Sequence, residues 1–564
     1  MSVPSAEPTR YRSGQRRWIP WVVAVMVSLG FGVVWVRLFH LHVLSSEKLR
    51  VTVQQQAYVR LQLFPTRGEI TDRHGEVLAA SVEAPSYGVD PVAVRCAECL
   101  CGQAHRVLGI DSAECLRRIS TAQGRFLWLR RGVWGKDTRG LDTLDEPGLV
   151  RLRERARVYV YGNLFLPVLG GVGIDQQGLS GLELTYDSLL RTEPVTVLMR
   201  RDARGRLFPT IEHVLNPPPP PLALRTTLDA NLQRIVAYEV TQGVRQAEAA
   251  AGIAVAMESA TGAIRACAVV PNPPLGSAHA PLVSDVYEPG SILKPIIAAA
   301  ALEQGLLRIT DTLDGRNGYW DVSGHRITDE YPLGQTTIRR ALALSSNIVF
   351  AELAQRLPKR VLYRYVRDFG FGVPTGIVLP AEASGIVPKP EQFQSQTPLF
   401  WGFGYGLAAT PLQLACAYAA IANDGVLMQP RLVEAFWEPA QGDTVILPPR
   451  RIRQVITAGT ARQLRELLIS VVEEGTGQYA RIPGLAIAGK TGTAQQLVDG
   501  RYSREAHTAS FVAIVPAEHP RMVVLVMIVQ PRRATSGGQV AAPVVRRILQ
   551  RMAAHSELSA YVRL

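Results

Sequence analysis

Lysine is nearly missing from this chain. Of its 61 basic residues six are lysine: Lys48, Lys136, Lys294, Lys359, Lys389 and Lys490. The rest are arginine, spread along the sequence and not gathered into runs. There is no basic arm, and no interleaving of aromatic and basic residues into a stacking platform. The formal charge of +13 therefore does not mark a nucleic-acid-binding protein. It fits an arginine-biased composition, or work beside anionic surfaces. No internal repeat is found. Cysteine is sparse as well, at six residues. Cys267 and Cys416 stand alone in apolar runs and read as small core residues. Cys96, Cys99, Cys101 and Cys115 cluster, which fits disulfides in an exported domain. Free thiols and zinc remain alternatives, although C-x-x-C-x-C matches the common zinc spacings poorly. No cofactor and no metal are expected.

Charge is lacking altogether from Ile19 to Val36, in IPWVVAVMVSLGFGVVWV. That run is roughly long enough to cross a bilayer core of ~30 Å. Trp18, Trp21 and Trp35 sit near its ends, as interfacial aromatics do. Arg10, Arg12, Arg16 and Arg17 precede it, opposed by Glu7 alone, so the N-terminus is expected in the cytoplasm. The asymmetry is modest, because Arg37, Lys48 and Arg50 follow. A cleaved signal peptide is the alternative, but the run is long and no A-x-A site follows it. The expected layout is a cytoplasmic tail at 1–17, a transmembrane helix at 18–41 and an extracytoplasmic remainder.

With 564 residues, 47% of them hydrophobic, two or three domains with large cores are expected. RGEITDRHGEVLAAS (67–81) reads as a short strand, a turn at His74-Gly75 and a second strand. Mixed helix and strand follow, to about residue 215. Pro217 to Pro221 cannot continue a helix or a central strand, and should form a stiff spacer between a domain at 46–216 and one at 222–555. Beyond it, DANLQRIVAYEVTQGVRQAEAA has helical periodicity. GIAVAMES and AIRACAVV, with a turn at Ala260-Thr261-Gly262, look like a hairpin. LAIAGKTGTAQ, TASFVAIVPA and RMVVLVMIVQP read as three apolar strands, and VAAPVVRRILQRMAAH as a closing amphipathic helix. Strands at both ends with helices between them point to an α+β fold, an antiparallel sheet sandwiched by helices.

Three short elements of this second domain carry chemistry. Ser291 and Lys294 are three apart, so on a helix they share a face. Ser345-Ser346-Asn347 follows, then Lys490-Thr491-Gly492-Thr493 at the end of an expected edge strand. Each alone has a plain structural reading: a cap, a turn, a strand-edge lysine. Together, in this order, they form one constellation. A serine hydroxyl is a poor nucleophile until its proton is taken. Arginine cannot take it, because its pKa stays above ~12; a lysine can, if burial and a second cation drive its pKa down. That explains why a chain so poor in lysine spends one at position 294. Lys490 supplies the second cation. Ser345 can relay protons, and Asn347 can hold a substrate peptide group. The backbone N–H groups of Ser291 and Thr493 can bind an oxyanion. Thr491 and Thr493 suit a carboxylate, and Gly492 leaves room for a substrate strand.

This set of motifs is the one shared by penicillin-binding proteins and class A β-lactamases. The chain resembles the class B penicillin-binding proteins, the monofunctional peptidoglycan D,D-transpeptidases. RGEITDRHGEVLAAS is similar to their R-G-x-I-x-D-R-x-G-x-x-L-A signature, and GLSGLELTYDSLL (178–190) to their G-x-x-G-x-E segment. GFGVPTGIVLPAEASG and GFGYGLAATPLQLACAYAAIANDG match stretches between the second and third motifs. The resemblance implies a single-pass anchor in the bacterial inner membrane, a mixed α/β pedestal and a C-terminal penicillin-recognising serine transpeptidase domain outside the cytoplasm. It implies Ser291 as the residue acylated by lipid-linked peptidoglycan stem peptides and by β-lactam antibiotics. YEPGSILKP, FGYGLAATPLQLA and TASFVAIVPAEHPR resemble the division-type branch more than the elongation type. That branch implies a SEDS-type glycosyltransferase and other divisome membrane proteins as partners. Two features depart from the family: LLRTEP stands where many relatives are glycine-rich, and the clustered cysteines are not expected. No E-D-x-x-F motif of a glycosyltransferase domain precedes residue 222.

Two other classes compete. A β-lactamase would share the motifs, but needs about half this length, no anchor and no pedestal. A divisome scaffold or β-lactam sensor would have lost motif residues or gained a cytoplasmic output domain. No motif residue is lost, and seventeen residues cannot hold such a domain.

Overall fold

The protein is described from a computed structural model covering residues 18–44, 58–63, 66–124, 126–191, 195–201, 207–209, 220–271, 281–439, 442–498 and 501–562. The tail at 1–17 and Pro217 to Pro219 of the proline run lie outside the described residues; Pro220 and Pro221 have irregular backbone. The chain divides into two compact units, residues 1–63 with 193–218, and residues 64–192 with 219–564.

In the first unit, Ile19–Phe39 is α-helical and a π-turn at His40–Leu44 extends it. The resulting 26-residue apolar helix contains an 18-residue window of mean hydropathy 2.2 and has no buried residue. At about 1.5 Å per residue it is long enough to span a bilayer core. The unit also holds a three-stranded antiparallel sheet, in the order Tyr58–Leu63, Val195–Arg201, Leu207–Pro209.

The second unit contains two large sheets. One has seven strands and draws on both sides of the proline run. Ile70–Thr71 pairs antiparallel with Val77–Val89 through the turn expected at His74-Gly75, and parallel with Ala223–Thr226. Leu149–Tyr159 pairs antiparallel with residues 79–89 of Val77–Val89. Arg67, just ahead of this sheet, is fully buried. Its guanidinium reaches Glu183 Oε2 at 2.5 Å, Asp187 Oδ1 at 2.5 Å, Gln176 O at 2.8 Å and Glu183 O at 2.6 Å. Arg157 donates to the other Glu183 oxygen at 2.7 Å. A buried arginine is tolerated because its planar fork is met on every side.

The clustered cysteines form two disulfides, Cys96–Cys99 and Cys101–Cys115. The second ties helix Ala97–Leu108 to helix Ser112–Ser120 in a small core with Leu100, Ala104, Leu108 and Ile119. Disulfides, not thiols or zinc, thus account for the cluster. Cys267 and Cys416 are buried free thiols in the main core.

The other sheet is five-stranded and antiparallel, in the order Ile264–Pro271, Ala251–Glu258, Met522–Val529, Arg501–Val515, Ala488–Val498. Its central strand MVVLVMIV is buried along its whole length. Alternate residues divide between two cores, as the twofold period of a strand requires. Val524, Val526 and Ile528 pack with helices Ala230–Ala247 and Ala542–Ala554. Val523, Leu525 and Met527 pack with helices Lys294–Glu303, Pro411–Ala422 and Ala458–Glu473. This is the expected α+β sandwich. Pro411–Ala422, apolar and buried at every position, is its interior helix, opened by a capping box between Thr410 and Gln413. The strand that carries Lys490 lies on an edge of the sheet, so one side of its backbone is open to a partner.

Candidate active site

Ser291 stands on a single 3₁₀ turn, Gly290–Leu293, which feeds directly into helix Lys294–Glu303. The turn is held tightly. Gly290 N donates to Gly404 O at 3.1 Å, and the buried Tyr418 hydroxyl donates to Ile292 O at 2.8 Å. Gly290 has φ +55°, and a Cβ on Gly404 would lie 1.9 Å from Gly290 O. Two glycines therefore let the two segments touch behind Ser291.

Lys294 and Lys490 are both fully buried. Lys294 Nζ lies 2.5 Å from Ser345 O, 3.1 Å from Ser345 Oγ and 2.8 Å from Asn347 Oδ1. Lys490 Nζ comes from the edge strand to 2.9 Å from the same Ser345 Oγ, and also contacts Thr491 O at 3.1 Å. Burial drives the Lys294 amine well below the ordinary lysine range, the Lys490 cation pushes it the same way, and Asp329 opposes them. Burial alone brings Lys490 down to about 7. Both shifts favour the neutral amine, and at Lys294 the neighbouring cation adds to the effect of burial. Ser345 has φ +59°, a conformation its neighbours must enforce. Ser346 caps helix Asn347–Arg356 through Val349 N at 3.2 Å.

A cleft of about 730 Å³ opens over these groups, lined by Ser291, Ser345, Asn347, Thr491 and Thr493. Arg326, Thr328, Glu330, Tyr331, Phe400, Tyr405 and Tyr502 form other parts of its wall. The two lysines lie beneath its floor. Thr491 Oγ1 meets Thr476 Oγ1 at 2.7 Å, and Thr493 Oγ1 accepts Gly537 N–H at 3.1 Å. Seven of the eight residues singled out from the sequence thus line the cleft or the layer below it. Gly492 does something else. A Cβ there would lie 2.4 Å from Ser510 Oγ and 2.8 Å from Ile292 Cγ1, so its missing side chain admits the turn that carries Ser291 and not a substrate strand.

Residues outside the motifs also shape the site. Glu288 Oε1 accepts Gly406 N–H at 2.8 Å and the Tyr502 hydroxyl at 2.9 Å, tying the segment before Ser291 to two walls of the cleft. Asp329 lies under the Ser345-Ser346-Asn347 turn. Glu288 lies in YEPGSILKP just ahead of Ser291, and Asp329 stands beside Glu330; neither belongs to the three motifs, and their partners are supplied by the fold.

Residues 252–550 match the penicillin-binding protein transpeptidase domain, and residues 62–220 the penicillin-binding protein dimerisation domain. Stage V sporulation protein D of Bacillus subtilis is 32% identical over 536 residues, 92% of this chain and 83% of that protein. Peptidoglycan D,D-transpeptidase FtsI of Escherichia coli is 31% identical over 530 residues, 91% of this chain and 87% of that protein. The crystal structure of penicillin-binding protein 3 from Mycobacterium tuberculosis with aztreonam superposes with a TM-score of 0.67 at 27% identity, over 88% of this chain and 97% of that one. Sequence and fold agree: the chain belongs to the class B penicillin-binding proteins and is a serine-type peptidoglycan D,D-transpeptidase.

Proposed function

We propose that this transpeptidase cross-links stem peptides through an acyl-enzyme on Ser291, and does so in septal wall synthesis. The observation that carries the chemistry is the single Ser345 hydroxyl lying 3.1 Å from Lys294 Nζ and 2.9 Å from Lys490 Nζ. Such a bridge moves a proton between the two amines without water.

The neutral Lys294 amine takes the Ser291 proton as Oγ attacks the carbonyl carbon of the penultimate D-alanine. The Ser291 and Thr493 N–H groups receive the oxyanion. The C–N bond then breaks, and the departing D-alanine amine is protonated through Ser345. An amine from a neighbouring strand attacks the resulting ester, gives its extra proton back to Lys294, and restores the Ser291 hydroxyl. One amide replaces another with no net proton change. Thr491 and Thr493 bind the terminal carboxylate, and Asn347 the peptide group. A β-lactam follows the same first step, but its amine stays attached and blocks the second. Aztreonam and ampicillin complexes of the mycobacterial protein support this for the present chain.

The septal role rests on the stretches around Ser291 and after the third motif, and on the similarity to FtsI. The similarity to stage V sporulation protein D favours a second reading, a role in sporulation. In both, the Ile19–Leu44 helix anchors the chain with its N-terminus in the cytoplasm and its catalytic domain outside. A SEDS-type glycosyltransferase is the expected membrane partner.

The test is covalent labelling of the full chain in detergent with a fluorescent penicillin. A stable label on wild type that is lost in a folded Ser291→Ala variant supports the reading. Rapid turnover of the β-lactam would make the protein a β-lactamase. A folded wild type that never labels would favour a scaffold.

A further inference from the structure

Asp329 belongs to none of the three motifs, yet it holds the second one in place. Its Oδ2 accepts the Ser346 hydroxyl at 2.5 Å, and its Oδ1 accepts the N–H groups of Asn347 at 2.6 Å and Ile348 at 3.1 Å. The preceding residue, Thr328, offers its carbonyl to Asn347 Nδ2 at 2.9 Å. Both follow from one small hairpin, Tyr319–Val322 with His325–Thr328, whose end reaches the cleft.

The Asn347 amide is consequently held at both ends. Nδ2 donates to Thr328 O, and Oδ1 accepts from Lys294 Nζ at 2.8 Å. This fixes which end of the amide is which, and leaves one N–H for a substrate carbonyl. The same carboxylate satisfies two of the N–H groups that a helix start leaves open, and lies at the positive end of the helix dipole. Ser345, in its left-handed conformation, is the residue next to this clamp.

The charge matters too. Two ionisable groups act on Lys294: Lys490 from the edge strand, which disfavours its ammonium form, and Asp329 from the hairpin, which favours it. The remaining neighbours of its Nζ are neutral: Ser345, Asn347 and the Phe350 ring, at 5.8 Å from its centroid.

We infer that Asp329 is a positioning residue of the transpeptidase: it fixes the Ser345-Ser346-Asn347 turn so that Ser345 bridges the lysines, and its negative charge acts on Lys294. The inference rests on the reading of Ser291 as the nucleophile.

The test compares full-length wild type, Asp329→Asn and Ser346→Ala in detergent. The second-order rate of labelling by a fluorescent penicillin is followed from pH 5 to 10, with Ser291→Ala as blank and thermal unfolding as the check of fold. Asparagine keeps the shape and removes the charge. Losing a nearby anion favours the neutral amine, so the acid limb of the Asp329→Asn profile should move to lower pH. Its maximal rate should fall about tenfold or more as the turn loosens. Ser346→Ala keeps the charge, and should label more slowly with the acid limb where wild type has it. A folded Asp329→Asn with the wild-type acid limb would overturn the inference, since a helix cap alone would slow labelling without moving that limb. If Asp329→Asn does not fold, Ser346→Ala decides: slowed labelling supports the clamp, and wild-type labelling overturns it. A wild-type label that survives Ser291→Ala would overturn the nucleophile reading and this inference together, whereas the other outcomes bear on Asp329 alone.

Discussion

Lys294 and Lys490 approach one hydroxyl from opposite elements, a helix and an edge strand, at 3.1 and 2.9 Å from Ser345 Oγ. Two ammonium ions cannot share that buried space at little cost. Their burial, and at Lys294 the neighbouring cation, favour the neutral amine that the proposed base needs. Acylation should therefore have a bell-shaped pH profile. It rises as Lys294 loses its proton, because the neutral amine is the active form. It falls as Lys490 loses its own at about 7, because the cation is needed. Labelling rates from pH 5 to 10 measure both limbs. Lys490→Arg, whose cation does not titrate in this range, should lose the alkaline fall.

Lys294→Arg should keep the positive charge and lose the base. The expected loss of acylation rate is roughly 10²- to 10⁴-fold, the usual contribution of a positioned base. Stopped-flow labelling checks it, and a rate within tenfold of wild type would show that another group takes the Ser291 proton.

Gly492→Ala should damage the site from behind. The added carbon meets Ser510 Oγ at 2.4 Å and Ile292 Cγ1 at 2.8 Å, so either the edge strand or the nucleophile turn must move. Overpacking of this kind costs about 1–3 kcal/mol, read as a lower unfolding midpoint together with slower acylation. Ser510→Gly in the same chain should recover part of both.

The two disulfides should differ in worth. Cys101–Cys115 closes a 14-residue separation inside a packed core, and Cys96–Cys99 one of three residues. On the loop-entropy account, Cys101→Ala with Cys115→Ala should lower stability by roughly 3 kcal/mol, and the Cys96/Cys99 pair by less. Chemical denaturation measures this, and the labelling of Ser291 should persist in both variants.

Arg67→Lys should be strongly destabilising although it keeps the charge. A lysine cannot meet Glu183, Asp187 and two carbonyls at once, and leaves buried acceptors without donors. Breaking a buried pair of this type costs about 3–5 kcal/mol, which denaturant unfolding would register.

Much of this molecule is legible along the chain because its signals are local. The uncharged run at Ile19 to Val36 needs only length and hydropathy to be an apolar spanning helix. The strands at 488–529 announce themselves by apolar runs broken at turns, and the candidate serine and lysines by residue type and order. A lysine at 294 suits the proposed base because arginine does not surrender its proton, and that holds in any fold. The tertiary structure decided what depends on distance between segments. It paired Cys101 with Cys115 and Cys96 with Cys99, and joined strand Ile70–Thr71 to Ala223–Thr226 across the proline run. It turned the empty side of Gly492 toward Ile292. It also brought Asp329 under Ser346. Each of these is a contact between residues far enough apart that the register of sheets and the crossing of helices sets the partner, and no local pattern of residues encodes that register.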